Sequence, residues 1–330
     1  MGDWLGSRIK KYLKLFLKVS ISFSLISWLL YKADIQAVVN RWSDVRWILL
    51  ICIIMILHLC MIIVKSVRLN TLLEKFGLKA SVFWLSLLQL RANFLRNFLP
   101  GGVSADIYRA IALTKNTNFV SESISVIFAE KVFGGFSMLC VCLTGFFYGS
   151  YFTHYEVYLK LHKLAIALLL TVIFAIVVIF IFRYINLSRF KFPSSSLLQG
   201  FFRIISQVQS LLTANKQFIR VVLLSICVQL IIVAWHLSIS HELGLRLTYF
   251  QLMMTIPLAE LLLMLPISIG GIGVREVSFV MLLIPLGISF DEAISFSLLS
   301  LFVVTITRSL AGFAFLFSFD NLGSRVNTKE

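Results

Sequence analysis

Acid is what this chain has least of. Fifteen Asp and Glu stand against 30 Lys and Arg in 330 residues, and charged side chains amount to only 14%. An ordinary soluble domain carries about a quarter of its residues charged, so a water-exposed globular surface is excluded. No His, Cys, Asp or Glu falls at metal-ligand spacing, so no metal and no cofactor is expected. Cys52, Cys60, Cys140, Cys142 and Cys227 all lie inside apolar runs, without zinc or redox spacing, and are expected as buried small hydrophobes. No Walker loop, nucleophile elbow or nucleotide-sugar motif is present. No catalytic residue is therefore assigned, and the expectation is a protein that is not an enzyme. No cleavable signal is expected either: the basic start (Arg8, Lys10, Lys11, Lys14, Lys18) runs straight into an apolar stretch long enough to stay as a span. Proline is scarce at five residues, so its positions carry information.

What is present is hydrocarbon. Hydrophobic residues make up 59%, the mean hydropathy is +0.94, and there are 30 phenylalanines. This composition specifies an all-α polytopic integral membrane protein of about six to eight transmembrane helices. Uninterrupted spans are expected at Leu15–Tyr31, Trp47–Val64, Glu122–Gly149, Leu164–Phe182, Val221–Ile239 and Leu298–Phe317. The net charge of +15 would suggest nucleic acid on a soluble protein. Here most basic residues flank apolar runs, which points instead to membrane topology and anionic lipid.

Two apolar segments are broken. The first reads Leu99-Pro100-Gly101-Gly102-Val103-Ser104-Ala105-Asp106-Ile107-Tyr108-Arg109; the second reads Leu265-Pro266-Ile267-Ser268-Ile269-Gly270-Gly271-Ile272-Gly273-Val274-Arg275-Glu276. Each begins Leu-Pro, passes a Gly-Gly step and ends on an acid and an arginine, in opposite order. Proline removes a backbone donor and glycine loosens the chain. Non-helical backbone at membrane depth is tolerated where protein buries it or it lines a wet cavity. Matching breaks in two halves are the sequence mark of a transporter-type site. Both are read as re-entrant segments, and their positions allow an inverted repeat.

Ionisable residues inside apolar segments mark functional sites. Arg91, Arg96, Arg109 and Arg275 border the breaks, and Asp106, Glu130, Glu260 and Glu276 are their candidate counter-ions. Glu130 and Lys131 are adjacent, so on a helix they point about 100° apart and need separate partners. Arg308 lies in the last span, and it and Lys131 serve either the site or the packing of the bundle. The planar fork of arginine suits phosphate, and a helix start after each Gly-Gly step would add aligned N–H donors. The expected substrate site comprises these residues with Pro100, Gly101, Gly102, Pro266, Gly270, Gly271 and Gly273. His58 and His236 read as satisfied interior histidines, and Trp42 and Trp47 as an interfacial belt.

Charge bias orients the chain. The N-terminus, the 65–79 loop and the 183–220 stretch carry 15 basic residues against 6 in the opposite loops, with Lys65 and Arg68 counted in the 65–79 loop. The first group is therefore cytoplasmic, as are both termini. The whole chain, 1–330, is one transmembrane domain with pseudo-halves at about 1–183 and 219–330. They are joined by a cytoplasmic surface segment, 184–218, whose Leu197–Leu212 run is either an amphipathic surface helix or a plain linker.

The first break, the stretch Ser121–Lys131, and the second break followed by Leu286-Gly287-Ile288 and Ala293 resemble the two signatures of a flippase-like membrane family. This is the lysylphosphatidylglycerol synthase transmembrane-region family, with stand-alone members in bacteria and archaea. The resemblance covers nearly the whole chain and implies a polytopic helical fold. For some members it implies movement of a lipid between leaflets, and members in surface-glycan systems suggest polyprenyl-phosphate carriers. The chain shows no soluble aminoacyl-transferase domain, so synthesis of lysylphosphatidylglycerol is not expected. Lys131 stands where the resemblance leads one to expect arginine.

The leading expectation is a translocase for an anionic phospholipid or a polyprenyl-phosphate-linked lipid, in the bacterial inner membrane. The alternatives are an integral-membrane transferase acting on a polyprenyl-phosphate sugar, with Asp106 or Glu276 as base, and a non-catalytic partner in envelope glycan assembly. Expected partners are the lipid itself, a second copy of the chain or glycan-assembly proteins, and no nucleic acid. The topology is testable with single cysteines at Thr153 and Asn327 in a cysteine-free background. Membrane-impermeant labelling should reach Thr153 from outside and Asn327 from the cytoplasm. Labelling of both from one side contradicts the charge-derived orientation.

Overall fold

A lipid-facing protein carries apolar side chains on its outside as well as in its core, and this chain does so. In the computed structural model, the exterior carries Ile48, Ile56, Ile63, Phe128, Leu223 and Phe313, while His58, Arg68, Gln89, Arg109, Glu130 and His236 are buried. The structure describes residues 31–98, 104–117, 119–152, 196–213, 215–263, 273–316 and 326–328, with scattered positions at 20–28 and 166–184. The expected spans Leu15–Tyr31 and Leu164–Phe182 therefore lie largely outside the described residues. So do both break centres, with Pro100, Gly101, Gly102, Pro266, Gly270 and Gly271.

The described elements are helices with one small strand pair. They run α1 (Ile35–Ser43), α2 (Trp47–Glu74), β1 (Leu78–Ala80), α3 (Val82–Phe98), α4 (Ser104–Thr117) and α5 (Val120–Phe152). Then follow α6 (Ser196–Thr213), α7 (Asn215–Glu242), α8 (Tyr249–Leu263), α9 (Val274–Leu283), α10 (Phe290–Leu316) and β2 (Val326–Thr328). Four stretches are long and apolar enough to cross a membrane: Trp47–Glu74, Val120–Gly149, Lys216–Glu242 and Phe290–Phe313. The protein is thus a multi-pass helical membrane protein. The expected spans at Trp47, Glu122, Val221 and Leu298 fall on these four. One boundary needs correction: α2 runs ten residues past Val64, so Lys65 and Arg68 belong to a helix and not to a loop. The basic asymmetry keeps its sign without them.

Polar ties fix one end of the bundle. Asp34 caps α1 by accepting from the Ala37 N–H at 3.1 Å, and Trp42 Nε1 donates to Ser295 at 3.0 Å. Arg41 pairs with Glu292 at 2.9 Å and Arg46 with Glu242 at 2.7 Å. Trp42, Trp47 and Phe302 pack at centroid separations of 5.8–6.2 Å. The starts of α2 and α10 and the end of α7 therefore share this end. At the opposite end β1 pairs antiparallel with β2, Leu78 opposite Thr328, so the tail lies beside the turn after α2. There α6 is a helix, packed against α5. Gln207 donates to Glu122 at 2.7 Å and accepts from Ser125 at 2.7 Å, with Val208, Leu211 and Leu212 buried beneath.

Two short pairs fill the space between the long helices. α3 and α4 pack together beside α2, α5 and α10; α8 and α9 pack together beside α5, α7 and α10. With 10 residues α9 is about 15 Å long, half a bilayer core. Contact between α5 and α8 is close. Cys142 bonds the Met254 carbonyl at 3.0 Å, and a Cβ on Gly145 would fall 2.6 Å from Met254 N and 2.7 Å from Met253 Cβ. Only Cys142 of the five cysteines is buried. Cys52, Cys60 and Cys227 are exposed on the apolar exterior, because an apolar run does not by itself say which helix face turns inward.

Glycine substitutions test this packing. Gly145→Ala should cost about 1–3 kcal/mol, since backbone must move to admit the methyl group. Gly135→Ala meets nothing within 4 Å and should be neutral or stabilising by up to about 1 kcal/mol, because alanine is the better helix former. Thermal unfolding of both variants in detergent measures the contrast.

Candidate functional site

The buried charges form two groups. The first centres on Glu130, in α5. Its Oε1 accepts from Arg68 Nη2 at 3.0 Å and its Oε2 from Arg109 Nη1 at 2.5 Å. Arg109 Nη2 also bonds Asp106 Oδ1 at 2.5 Å, and Lys131 Nζ meets Asp106 Oδ2 at 2.7 Å. Gln89 and Ser225 complete the cage, accepting from Arg109 at 3.2 Å and from Arg68 at 3.0 Å. Side chains from α2, α3, α4, α5 and α7 thus converge on one carboxylate. Glu130 and Lys131 do have separate partners, as their angular separation requires. A single contact to one oxygen is work for a point charge, so lysine suffices at 131.

Arg68 was not among the expected site residues. It was counted as loop because Lys65 ends the apolar run. The signal that places it in a helix is the absence of any stop: no Gly or Pro occurs from Val64 to Phe76.

The second group lies where the break-proximal ends of α3, α8 and α9 approach α10. Arg96 (α3), Arg275 (α9) and Arg308 (α10) lie within mutual electrostatic reach, with Glu260 (α8) among them. Asn97 anchors the place by donating to the Thr305 carbonyl at 3.3 Å and to Ser309 at 3.0 Å. The Nε atoms of all three arginines are buried without a hydrogen-bond partner, and Arg275 is only 8% exposed. Among the described residues no carboxylate comes within ion-pair distance of them; the pairs formed involve Arg41, Arg46, Arg68, Arg109 and Lys131. Arg91 lies one turn back on α3 and is partly buried.

Each short helix after a break carries an acid in its first turn, Asp106 in α4 and Glu276 in α9. Glu276 Oε2 accepts the Gly273 N–H at 2.6 Å and so takes up one of the donors at the helix start. Gly273 has φ 85°, a left-handed conformation that glycine adopts without strain. The other oxygen of Glu276 is buried without a partner.

The two histidines differ. His236 is satisfied, with Nδ1 2.8 Å from the Ile232 carbonyl and Nε2 3.1 Å from Ser300. His58 is fully buried, stacks on Trp235 at 6.3 Å, and neither ring nitrogen has a partner, contrary to the expectation of a satisfied core histidine. Among the described residues no cluster of three or more His, Cys, Asp or Glu could hold a metal.

The family model described as "Lysylphosphatidylglycerol synthase TM region" matches residues 15–312. The chain belongs to this family. No curated protein and no solved structure matches it.

The first group makes a stability prediction. Glu130→Gln keeps the shape but leaves Arg68 and Arg109 facing a neutral amide, so it should destabilise the protein by about 3–5 kcal/mol. Lys131→Ala removes a 39% exposed cation whose partner Asp106 keeps Arg109, and should cost about 1 kcal/mol or less. Denaturant titration of the purified variants measures both.

Proposed function

We propose that this member of the lysylphosphatidylglycerol synthase transmembrane-region family is a lipid translocase and not an enzyme. Its cargo is an anionic phospholipid or a polyprenyl-phosphate-linked lipid, and it works in the bacterial inner membrane with both termini cytoplasmic. The observation that supports this most is the second charge group. Arginines 96, 275 and 308 come from three helices and meet inside the bundle, and no carboxylate among the described residues forms an ion pair with them. A phosphate crossing hydrocarbon must exchange its hydration for protein donors. Guanidinium groups offer paired N–H donors of matching shape. The breaks at 99–103 and 264–272 contain no ionisable residue, so they bring no counter-ion of their own.

The geometry of access follows from the two short pairs. We read α3–α4 and α8–α9 as re-entrant hairpins entering from opposite faces, within a bundle of six to eight spans in two inverted halves. Segment 184–218 would join those halves. Alternate movement of one half against the other then exposes the arginines to each leaflet in turn. Pro100, Gly101, Gly102, Pro266, Gly270 and Gly271 supply the breaks. Arg109, Asp106, Glu130 and Lys131 hold the fold around the seat and do not grip the cargo. Glu260 acts as the resident counter-ion that the phosphate displaces. A transferase reading would use Asp106 or Glu276 as base. The two ion pairs of Asp106 engage both of its oxygens, which favours transport over its use as a base, and Gly273 takes one oxygen of Glu276.

Reconstituted vesicles with a labelled anionic lipid in one leaflet test the reading. Arg275→Ala should slow transfer about tenfold or more, the worth of a charged hydrogen bond. Arg275→Lys should retain an intermediate rate, because it keeps the charge and loses the fork. Equal transfer by wild type and Arg275→Ala at matched reconstitution would reject the assignment.

A further inference from the structure

One buried polar side chain belongs to neither charge group. His58, in α2, is fully buried, and neither of its ring nitrogens has a hydrogen-bond partner among the described residues. Its ring stacks on Trp235 of α7, with centroids 6.3 Å apart and planes inclined by 27°. Stacking alone does not call for an imidazole. Phenylalanine would stack there too, without burying polar atoms that lack a partner, which is costly. Nor is the bundle unable to satisfy a histidine. His236, next to Trp235 in the chain, has Nδ1 2.8 Å from the Ile232 carbonyl and Nε2 3.1 Å from Ser300.

The surroundings of His58 indicate what is missing. Arg308 and Lys65 lie within electrostatic reach of it, and Arg308 is in turn within reach of Arg96 and Arg275. The imidazole therefore stands beside the open arginine group, on a fourth helix. Arginine and lysine carry donors and no acceptor, so neither takes the ring N–H. The oxygens of an anion do, and a hydrogen bond to a charged oxygen is among the stronger ones. Resting on the translocase reading, we infer that His58 is a further cargo-binding residue, whose ring N–H donates to an oxygen of the phosphate held by Arg308. Helix α2 then joins α3, α9 and α10 around the head group. The same helix is tied to Glu130 through Arg68, so the added donor comes from a fixed part of the bundle.

The test titrates dodecyl phosphate into purified full-length protein carrying isotope-labelled histidine, in an uncharged maltoside micelle. Calorimetry reads the affinity and NMR reads the ring nitrogens, with the His58 signals identified by their loss in His58→Phe. Saturation should shift those signals. His58→Phe keeps the stack on Trp235 and should weaken binding about tenfold, while the melting temperature of the ligand-free protein stays unchanged or rises. His58→Gln keeps a donor and should bind with intermediate affinity; it also carries the test if the phenylalanine variant does not fold. A histidine that only packs, or only holds a water, gives another pattern: a lower melting temperature in His58→Phe, full affinity and unmoved signals. Binding that Arg308→Gln weakens and both His58 variants spare would likewise overturn the inference, and would leave the arginine seat standing. Failure of the wild type to bind dodecyl phosphate would instead overturn the seat and the translocase reading with it. Inorganic phosphate bound as tightly as dodecyl phosphate would overturn the assignment to a lipid head group.

Discussion

A charge inside a membrane protein must be answered by another charge, and the bundle is built around one such answer. Glu130 is 2% exposed and holds two arginines, one on each oxygen. Through Arg68 it binds α2 to α5 and, by Ser225, to α7. Through Arg109 it binds α4 and, by Gln89, α3. Five helices thus share one ionic centre. Remove the carboxylate and two guanidinium groups are left in a low-dielectric interior, the costly half of a broken buried pair. The apolar packing around it, in which Leu69, Leu72, Val126, Ala129 and Phe133 are buried, is what keeps water from relieving that cost.

The second arginine group differs in its satisfaction. Arg109 spends its fork on two carboxylates, while Arg96, Arg275 and Arg308 have none bonded to them among the described residues. Equivalent residue types therefore stand in two settings: a closed network that fixes helix positions, and an open one that we propose as the seat of an anion. That division matches their places along the chain. The closed network lies on long helices and on α4, within packed surroundings. Two of the three arginines of the open group stand on the short helices that flank the breaks, α3 and α9. Asp106 and Glu276 occupy the same first-turn position in the helix after each break, which gives α4 and α9 a common local design.

Much of this was legible in the sequence. Hydropathy exposed four spans to within a few residues at most starts, because a bilayer demands long apolar runs. Charges inside those runs pointed to Glu130 and Arg308, since lipid tolerates such residues only with a reason, and the second break pointed to Arg275, which borders it. Other features were not legible. Arg68 and Glu130 are 62 positions apart, and no periodicity relates them. The length of α2 was hidden because Lys65 and Arg68 resemble the edge of a loop; buried partners, which sequence does not display, are what keep them in a helix. The helix α1 was missed for a related reason: it is short and amphipathic and lies between runs. The unpartnered ring of His58 and the outward faces of Cys52, Cys60 and Cys227 depend on which side of a helix packs inward. That is a property of neighbouring helices, not of the run itself.

The central claim is that the two arginine groups do different work. An electron cryo-microscopy map of the protein in lipid nanodiscs, saturated with a phosphomonoester lipid, tests it directly. The account predicts phosphate density in contact with Arg96, Arg275 and Arg308, with the Arg68–Glu130–Arg109 pairs unbroken. Phosphate density on Arg109 with its bond to Glu130 broken, or none beside Arg275, would contradict it.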